Sequence, residues 1–163
     1  MIEVELRGLV VDAGKPVPGP VVLLAEKKGI RILPIWIGPC EATAISYSYD
    51  KEYSPRPLTI DFIERVLRIL NGEVQRVLID RIKNGVFYAT IVIKQGNQIL
   101  MMDARPSDAI GVAVRVGAQI FVVEEIMENS KIVLEGKLQI SDELIEEMKN
   151  LQPEDIGDIK WKE

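Results

Sequence analysis

Residues 73–95 have the sequence EVQRVLIDRIKNGVFYATIVIKQ, two runs rich in Val, Ile and aromatic residues that are separated by Asn84-Gly85. Asn-Gly between two such runs is a strong short-range signal of a β-hairpin, because both central residues of the two-residue turn take positive φ angles. Strands are therefore expected from Glu73 to Lys83 and from Val86 to Gln95. Gly96-Asn97 predicts another tight turn into a strand from Gln98 to Asp103, so this part of the chain is expected to be an antiparallel meander.

Shorter strands are indicated on both sides of the meander. The alternation of polar and apolar residues from Ile2 to Arg7 is typical of a half-exposed strand. Val21 to Ala25 and Ile30 to Ile37 are β-rich runs joined by a short turn that contains Lys and Gly, which predicts a second hairpin. One more strand is expected from Gln119 to Val123.

Three helix start signals lie between these strands. Pro39 suits the first turn of a helix, and Thr59 and Ser107 are expected to be N-caps. The helices are expected over Cys40 to about Tyr49, Ile60 to Leu70 and Asp108 to Val116. The sequence thus predicts an α+β fold, with a mixed, largely antiparallel sheet whose hairpins pack against three or four helices.

The length of 163 residues is typical of one domain with a sizeable core. We expect that domain over residues 1–128, followed at 129–163 by an acidic C-terminal helix, from Ser141 to Asn150, and a tail. Residues 1–115 hold 15 Lys and Arg against 13 Asp and Glu, whereas the remaining residues hold 5 against 12, so the net charge of -5 arises in the C-terminal part. This asymmetry leaves room for a phosphate-binding face on the domain, although an acidic segment that keeps the protein soluble is the simpler interpretation.

The N-terminal residues carry acids where a secretion signal would carry Lys or Arg, and no apolar run is long enough to span a bilayer. A cytoplasmic protein without a membrane partner is therefore expected. A single cysteine, Cys40, excludes an internal disulfide and a cysteine-rich zinc site. We expect Cys40 to be a small buried residue. Abundant Glu, Lys and Ile are typical of a thermophile.

The chain contains no histidine, which excludes Ser-His-Asp and Cys-His catalysis. Hydrolytic chemistry would have to use carboxylates, which can hold a hard cation such as Mg²⁺ or Mn²⁺. Sequence patterns that bind nucleotide cofactors are also missing, so no organic cofactor is expected. Trp36, Tyr47 and Tyr49 are expected to be core or subunit contacts, because an aromatic content of 6% does not indicate a stacking platform.

Two segments share one local design: Arg56 and Arg105 each precede a proline, which is followed by a hydroxyl residue and then by an acid in the first turn of a helix. Backbone N–H groups and a partial positive charge at a helix N-terminus favour anions. One interpretation is that Arg56 and Arg105 bind phosphate while Asp61 and Asp108 hold a metal or activate water. The alternative is that the two aspartates complement the helix dipoles and form ion pairs with the arginines.

Three further acids allow similar alternatives. Asp103 lies at the end of a strand beside Arg105, where a salt bridge explains it as well as a catalytic site does. Glu41, in the first turn after Pro39, is either a member of the same site or a dipole partner. Asp61 and Glu64 lie about one turn apart and could ligate one cation, yet each also has an arginine at the i+4 position.

Several blocks resemble the signature blocks of the bifunctional nuclease family, in the order of that family. They are Leu33 to Gly38, Glu41-Ala42, Ala44-Ile45, Arg56 to Thr59, Phe87 to Ala89, Asp103 to Ile110 and Glu124-Glu125. The resemblance, to a stand-alone bacterial member, implies hydrolysis of DNA and RNA phosphodiesters, with nucleic acid as the substrate, and a homodimer or higher homo-oligomer. Family members commonly carry Thr-His-Asp where this chain has Thr59-Ile60-Asp61, so either the chemistry here rests on acids or this member is weakened or inactive.

Three hypotheses follow, of which the third is a purely structural oligomer whose polar blocks build subunit contacts. The first is a metal-assisted nuclease in which carboxylates hold Mg²⁺ or Mn²⁺. Its catalytic candidates are Asp61, Asp103, Asp108 and Glu41, and its phosphate ligands are Arg56 and Arg105. The second is a non-catalytic oligomeric or regulatory protein that binds a small anionic ligand through the two arginines.

Overall fold

A computed structural model describes residues 1–12, 19–50, 54–130 and 132–133, which form one eight-stranded sheet and four helices. The strands are β1 (Ile2–Asp12), β2 (Gly19–Glu26), β3 (Arg31–Trp36), β4 (Gly72–Lys83), β5 (Val86–Gln95), β6 (Gln98–Ala104), β7 (Gln119–Val122) and β8 (Ile132–Val133). The helices are α1 (Pro39–Tyr49), α2 (Thr59–Ile69), α3 (Pro106–Val116) and α4 (Glu124–Ser130). None of the helices in the described part of the chain is long and apolar enough to cross a membrane.

The strand order is β6-β5-β4-β7-β1-β2-β3-β8. Every neighbouring pair is antiparallel except β4 with β7, which is parallel. The parallel pair arises because α3 connects the meander to β7 and returns the chain to the middle of the sheet. The predicted α+β fold, with a mixed and largely antiparallel sheet, is confirmed.

The central meander forms as its turn residues predict. Asn84 and Gly85 have φ angles of 52° and 76°, so both take the positive values that a two-residue hairpin turn requires. The turn fixes the register by placing Lys83 opposite Val86. The next turn, at Gly96 with φ of 58°, sends β6 back along β5.

Helices α1, α2 and α3 cover one face of the sheet and bury one large apolar core. Ile45 of α1, Ile60 of α2 and Ile110 of α3 all belong to that core, together with Ile79 and Ile91 of the meander. Their burial, at about 1.5–3 kcal/mol for each large side chain, is the main force that holds the helices on the sheet.

The predicted N-caps are wrong at both positions. Helix α2 begins at Thr59 itself and is capped by Leu58, whose backbone N–H donates to Asp61 Oδ2 at 3.0 Å. Helix α3 begins at Pro106, with Arg105 as its N-cap. In α2 the side chain of Asp61 fixes the first turn, and in α3 the ring of Pro106 does so. Neither hydroxyl residue is therefore the N-cap.

Helix α4 was not predicted from the sequence, since its seven residues offer neither a cap nor a full apolar stripe. The helix expected from Ser141 to Asn150 and the acidic tail lie outside the described residues.

Candidate active site

An open cavity of about 400 Å³ lies where the N-terminal ends of α1 and α3 meet the β4–β5 turn. Glu41 of α1, Arg105 and Ser107 line its polar side. Trp36 and Phe87 contribute to its apolar side. A volume of this size suits a ligand no larger than one nucleotide unit.

Both helices that reach the cavity begin in the same way. Pro39 and Pro106 occupy the first helical positions of α1 and α3, where the missing N–H of proline removes no helical bond. In the first intrahelical hydrogen bonds, the Ala42 N–H donates to the Gly38 carbonyl and the Ala109 N–H donates to the Arg105 carbonyl, each at 3.0 Å. The N–H groups that precede these bonds have no helical acceptor, so two partial positive charges face one cavity.

Arg105 is the central polar group of this site. Its Nε and Nη2 donate to Asp108 Oδ2 and Oδ1 at 2.7 and 3.0 Å, and its Nη1 donates to Glu41 Oε1 at 2.8 Å. These bonds, the strongest of them to Asp108, raise the pKa of Arg105, which stays charged at any pH of interest. Because the Arg105 side chain is 64% exposed, another anion can approach the guanidinium from the solvent.

From the sequence, Trp36 is expected to be a core or subunit contact. In the structure its side chain borders the cavity and is 47% exposed, with Nε1 donating to Asp12 Oδ2 at 2.8 Å. Phe87 lines the cavity beside it. Both aromatic residues lie in blocks that carry the family resemblance, so a signal for them existed in the sequence.

Asp61 lies at a different place from the cavity. It is buried, and it forms an ion pair with Arg115, in the last turn of α3, as well as the bond to the Leu58 backbone. Arg105 and Arg115 are ten residues apart on one helix, which corresponds to about 15 Å along its axis. Asp61 therefore joins α2 to the far end of α3, and Ile60, where the family commonly has histidine, is buried at the same contact.

Asp103 is 70% exposed and forms an ion pair with Arg81 at 3.0 Å. Its register partner on β5 is Thr90, which points away from the helices because Ala89 and Ile91 on either side belong to the core. Arg81 also binds Asp80 at 3.1 Å and lies over the ring of Tyr88. The structure thus places Asp103 in a surface network outside the lining of the cavity.

Arg56 is exposed just before α2 and is not part of the cavity lining. Of the six residues that the sequence singled out, Glu41, Arg105 and Asp108 meet at one point, whereas Arg56, Asp61 and Asp103 lie elsewhere. Arg115, which holds Asp61, was not predicted, since no sequence pattern marks it.

Within the described ranges, no three acidic or cysteine side chains form a group that could hold a metal ion by themselves. At the cavity, the carboxylates of Glu41 and Asp108 both bind Arg105. Mg²⁺ commonly takes one or two carboxylates together with phosphate oxygens and water, so this pair fits a cation that arrives with its substrate.

Cys40, in the first turn of α1, is exposed, so the expectation that it is buried is wrong.

Comparisons with known proteins identify the family of this chain. A model of the bifunctional nuclease domain matches residues 22–135, a range that contains the entire cavity lining. Two uncharacterized proteins from the CDC 1551 and H37Rv strains of Mycobacterium tuberculosis are each 37% identical to this chain over 134 residues, which is 82% of this chain and 79% of the relative. The chain therefore belongs to the bifunctional nuclease domain family.

Proposed function

We propose that the cavity binds one nucleotide unit of DNA or RNA and that the protein hydrolyses the phosphodiester bond held there. The observation that carries this proposal is the position of Arg105: an exposed guanidinium at the start of α3, between two carboxylates and beside an aromatic wall. The family to which the chain belongs supports the same reaction class.

The polar side of the cavity supplies the groups that phosphate hydrolysis needs. A phosphate that enters takes over donors of Arg105, which binds phosphate oxygens in the same forked geometry as carboxylates. The free N–H groups at the start of α3 add further stabilisation for the negative charge. Both contributions grow as charge accumulates on the phosphate in the transition state.

Displacement from Arg105 leaves a carboxylate of Asp108 or Glu41 beside the bound phosphate. That carboxylate accepts a proton from water, the water oxygen forms a bond to phosphorus, and the bond from phosphorus to the leaving sugar oxygen breaks, with the leaving oxygen taking up a proton from solvent water. Mg²⁺ or Mn²⁺, held by Glu41, Asp108 and the phosphate, would supply Lewis-acid stabilisation of the same charge.

The apolar side of the cavity is suited to a base. Trp36 and Phe87 offer ring surface to any nucleobase, and stacking of this kind depends little on base identity. A base can reach these rings only when it is unstacked from its neighbours, which costs least in a single strand. We therefore expect single-stranded DNA and RNA to be better substrates than duplexes.

The test is an assay of the highly purified protein on single- and double-stranded DNA and RNA, with Mg²⁺, with Mn²⁺ and with EDTA. Removing one group that stabilises the transition-state charge typically lowers turnover by about 100-fold or more. Such losses are expected for Arg105→Gln, and comparable ones for Glu41→Gln and Asp108→Asn. The matched control is Asp103→Asn, which makes the same change in an exposed, arginine-bound aspartate outside the cavity.

Cleavage that persists in all three cavity variants would identify a contaminant and refute the proposal. Loss of activity in Asp103→Asn, with the cavity variants still active, would indicate that the active site lies on the outer face of the meander.

A second function is favoured by one observation: the cavity lining contains one carboxylate, that of Glu41, and both Glu41 and the neighbouring Asp108 are already bonded to Arg105. In that case the protein binds a small anionic ligand at Arg105 without turning it over. A rise in the unfolding temperature with mononucleotides or inorganic phosphate, lost in Arg105→Gln and accompanied by no cleavage, would support this function.

A further inference from the structure

Ser107 differs from the other buried polar residues in its hydrogen bonding. Four polar or charged residues are buried in the described part of the chain, and three of them, Ser48, Asp61 and Thr90, form hydrogen bonds with other protein groups. Ser107 is only 7% exposed, yet its hydroxyl has no such bond to any residue that the structure describes. Because buried polar groups are nearly always hydrogen-bonded, a hydroxyl without a protein partner indicates a bond to water or to a ligand.

The Ser107 hydroxyl is open to the candidate active site. Among the described residues, no side-chain polar atom that is sealed from solvent lacks a hydrogen-bond partner. The unbonded hydroxyl of Ser107 must therefore touch solvent, although the residue is almost entirely buried. Ser107 belongs to the lining of the cavity, so the cavity is where its hydroxyl meets solvent. The bond that the protein leaves unmade is thus available to a molecule in the cavity.

Two backbone donors lie beside this hydroxyl. Pro106, the first residue of α3, has no N–H, and the first helical bond is donated by Ala109. The N–H groups of Ser107 and Asp108, which lie between them, have no helical acceptor and point out of the N-terminal end of the helix. Two consecutive residues therefore present three uncharged donors, one O–H and two N–H, at the positive end of α3.

Uncharged donors are important here because Arg105 is shared between two acids. Its Nε and Nη2 donate to Asp108, and its Nη1 donates to Glu41. An anion that bound the guanidinium alone would compete with both carboxylates for one positive charge. The Ser107 hydroxyl and the two N–H groups donate to neither carboxylate, so they can bind an anion without displacing Asp108 or Glu41.

We infer that Ser107 is a phosphate ligand, whose hydroxyl donates to one phosphate oxygen while the N–H groups of Ser107 and Asp108 donate to the others. Phosphate oxygens are acceptors with negative charge, which suits three donors at the positive end of a helix. A ribose hydroxyl is neutral and gains less from this end of α3. A nucleobase has the rings of Trp36 and Phe87 on the apolar side of the cavity. The inference rests on the proposed function for the location of the phosphate, but it requires no hydrolysis.

The experiment measures the binding of inorganic phosphate, adenosine monophosphate and adenosine to the full chain by isothermal titration at constant ionic strength. Ser107→Ala should weaken the binding of both phosphate compounds at least about tenfold, because a hydrogen bond to a charged group is lost, and should leave the binding of adenosine unchanged. Ser107→Cys keeps the size of the side chain but has only a weak donor, so its affinities should lie close to those of Ser107→Ala. The unfolding temperature of the ligand-free Ser107→Ala protein should stay within about 2 °C of the wild type, because the hydroxyl has no protein partner to lose.

Ser48→Ala is the matched control. It removes the hydroxyl of a similarly buried serine, 2% exposed on α1 and outside the cavity lining, and it should leave all three affinities unchanged. Equal phosphate affinity in Ser107→Ala and the wild type would overturn the inference. A loss of adenosine binding as large as that of adenosine monophosphate would also overturn it, because the hydroxyl would then bind the nucleoside.

Cleavage of single-stranded DNA and RNA by the same proteins tests the proposed function separately. A wild type that binds phosphate through Ser107 but cleaves neither polymer would refute the hydrolysis and support this inference. A wild type that cleaves both, with unchanged phosphate binding in Ser107→Ala, would support the hydrolysis and refute this inference.

Discussion

Arg105 binds Asp108 through two parallel hydrogen bonds, with Nε to Oδ2 at 2.7 Å and Nη2 to Oδ1 at 3.0 Å. This is the geometry in which a guanidinium also binds phosphate. Asp108 therefore occupies the position that a substrate phosphate would need, and it competes with any anion that enters the cavity. The same aspartate would then lower affinity for the substrate while it supports the reaction.

The first prediction separates these two effects. Asp108→Asn keeps the shape of the side chain but removes its charge, so inorganic phosphate and mononucleotides should bind more tightly, by roughly two- to fivefold given the exposure of the pair. Cleavage of nucleic acid should fall at the same time, if Asp108 accepts the proton. Isothermal titration gives the affinity, and a single-turnover assay gives the rate.

The control for this prediction is Asp103→Asn, which should change neither quantity. Weaker phosphate binding in Asp108→Asn would contradict the competition and would mean that Asp108 positions Arg105 for its ligand.

The second prediction concerns the buried pair of Asp61 and Arg115, whose side chains are 9% and 5% exposed. Arg115→Met leaves a carboxylate buried without its counter-charge, so the free energy of unfolding should fall by about 3–5 kcal/mol. The double variant Asp61→Leu, Arg115→Met should regain part of this loss, because the uncompensated charge is gone. Urea unfolding followed by circular dichroism measures both. If the double variant loses as much stability as the sum of the losses in Asp61→Leu and in Arg115→Met, the two residues are not coupled.

The secondary structure of the domain could be predicted because its local signals agree with its tertiary contacts. Asn84-Gly85 has one compatible turn in a β context, and Gly117, with φ of 73°, ends α3 where glycine is expected. The sheet order could not be predicted, since the parallel contact of β4 with β7 depends on how α3 packs, not on any short pattern. The short helix α4 was not predicted either, because no short sequence pattern marks it.

The candidate site was predictable only in part. Arg105, Asp108 and Glu41 meet because the N-terminal ends of α1 and α3 converge. The sequence indicated each of the two helix starts, but not that they converge. The segment from Arg56 to Asp61 has the same local pattern, yet Asp61 forms its ion pair with Arg115. Local sequence indicates that a group lies at a helix N-terminus, but which partner it meets is decided by helix packing across more than fifty residues of chain.

The third prediction tests the packing of α2 on α3. A Cβ atom at Gly111 would lie 2.4 Å from Ile60 Cδ1 and 3.6 Å from Ile45 Cγ1. Gly111→Ala should therefore lower the free energy of unfolding by about 1–3 kcal/mol, although alanine favours a helix by about 1 kcal/mol over glycine. Ile60→Val removes the Cδ1 atom that clashes.

In the Ile60→Val background, Gly111→Ala should be neutral or stabilising, because only the helical preference of alanine remains. The comparison of the four unfolding curves measures this coupling. An equal loss from Gly111→Ala in both backgrounds would contradict the assigned contact.

The fourth prediction is a pH dependence at the opposite end of the sheet. Arg31 donates Nη2 and Nε to the two carboxylate oxygens of Glu26, at 2.7 and 2.9 Å, and these bonds lower the pKa of Glu26 below its ordinary value of 4.5. Because the pKa is lower in the folded state than in the unfolded state, the pair stabilises the protein above about pH 4.5, and this stabilisation is lost as the pH falls through the folded-state pKa.

Glu26→Gln should therefore unfold at a lower temperature than the wild type at pH 7, and the difference should shrink as the pH is lowered below 4.5. Glu5→Gln is the matched control, since Glu5 is an exposed strand residue, and its small effect should not vary in this way. Calorimetric scans between pH 7 and the acid range give the comparison. A difference that does not change with pH would contradict the prediction and would mean that Arg31 is held mainly by Glu124 and Glu128 of α4, to which it also donates hydrogen bonds.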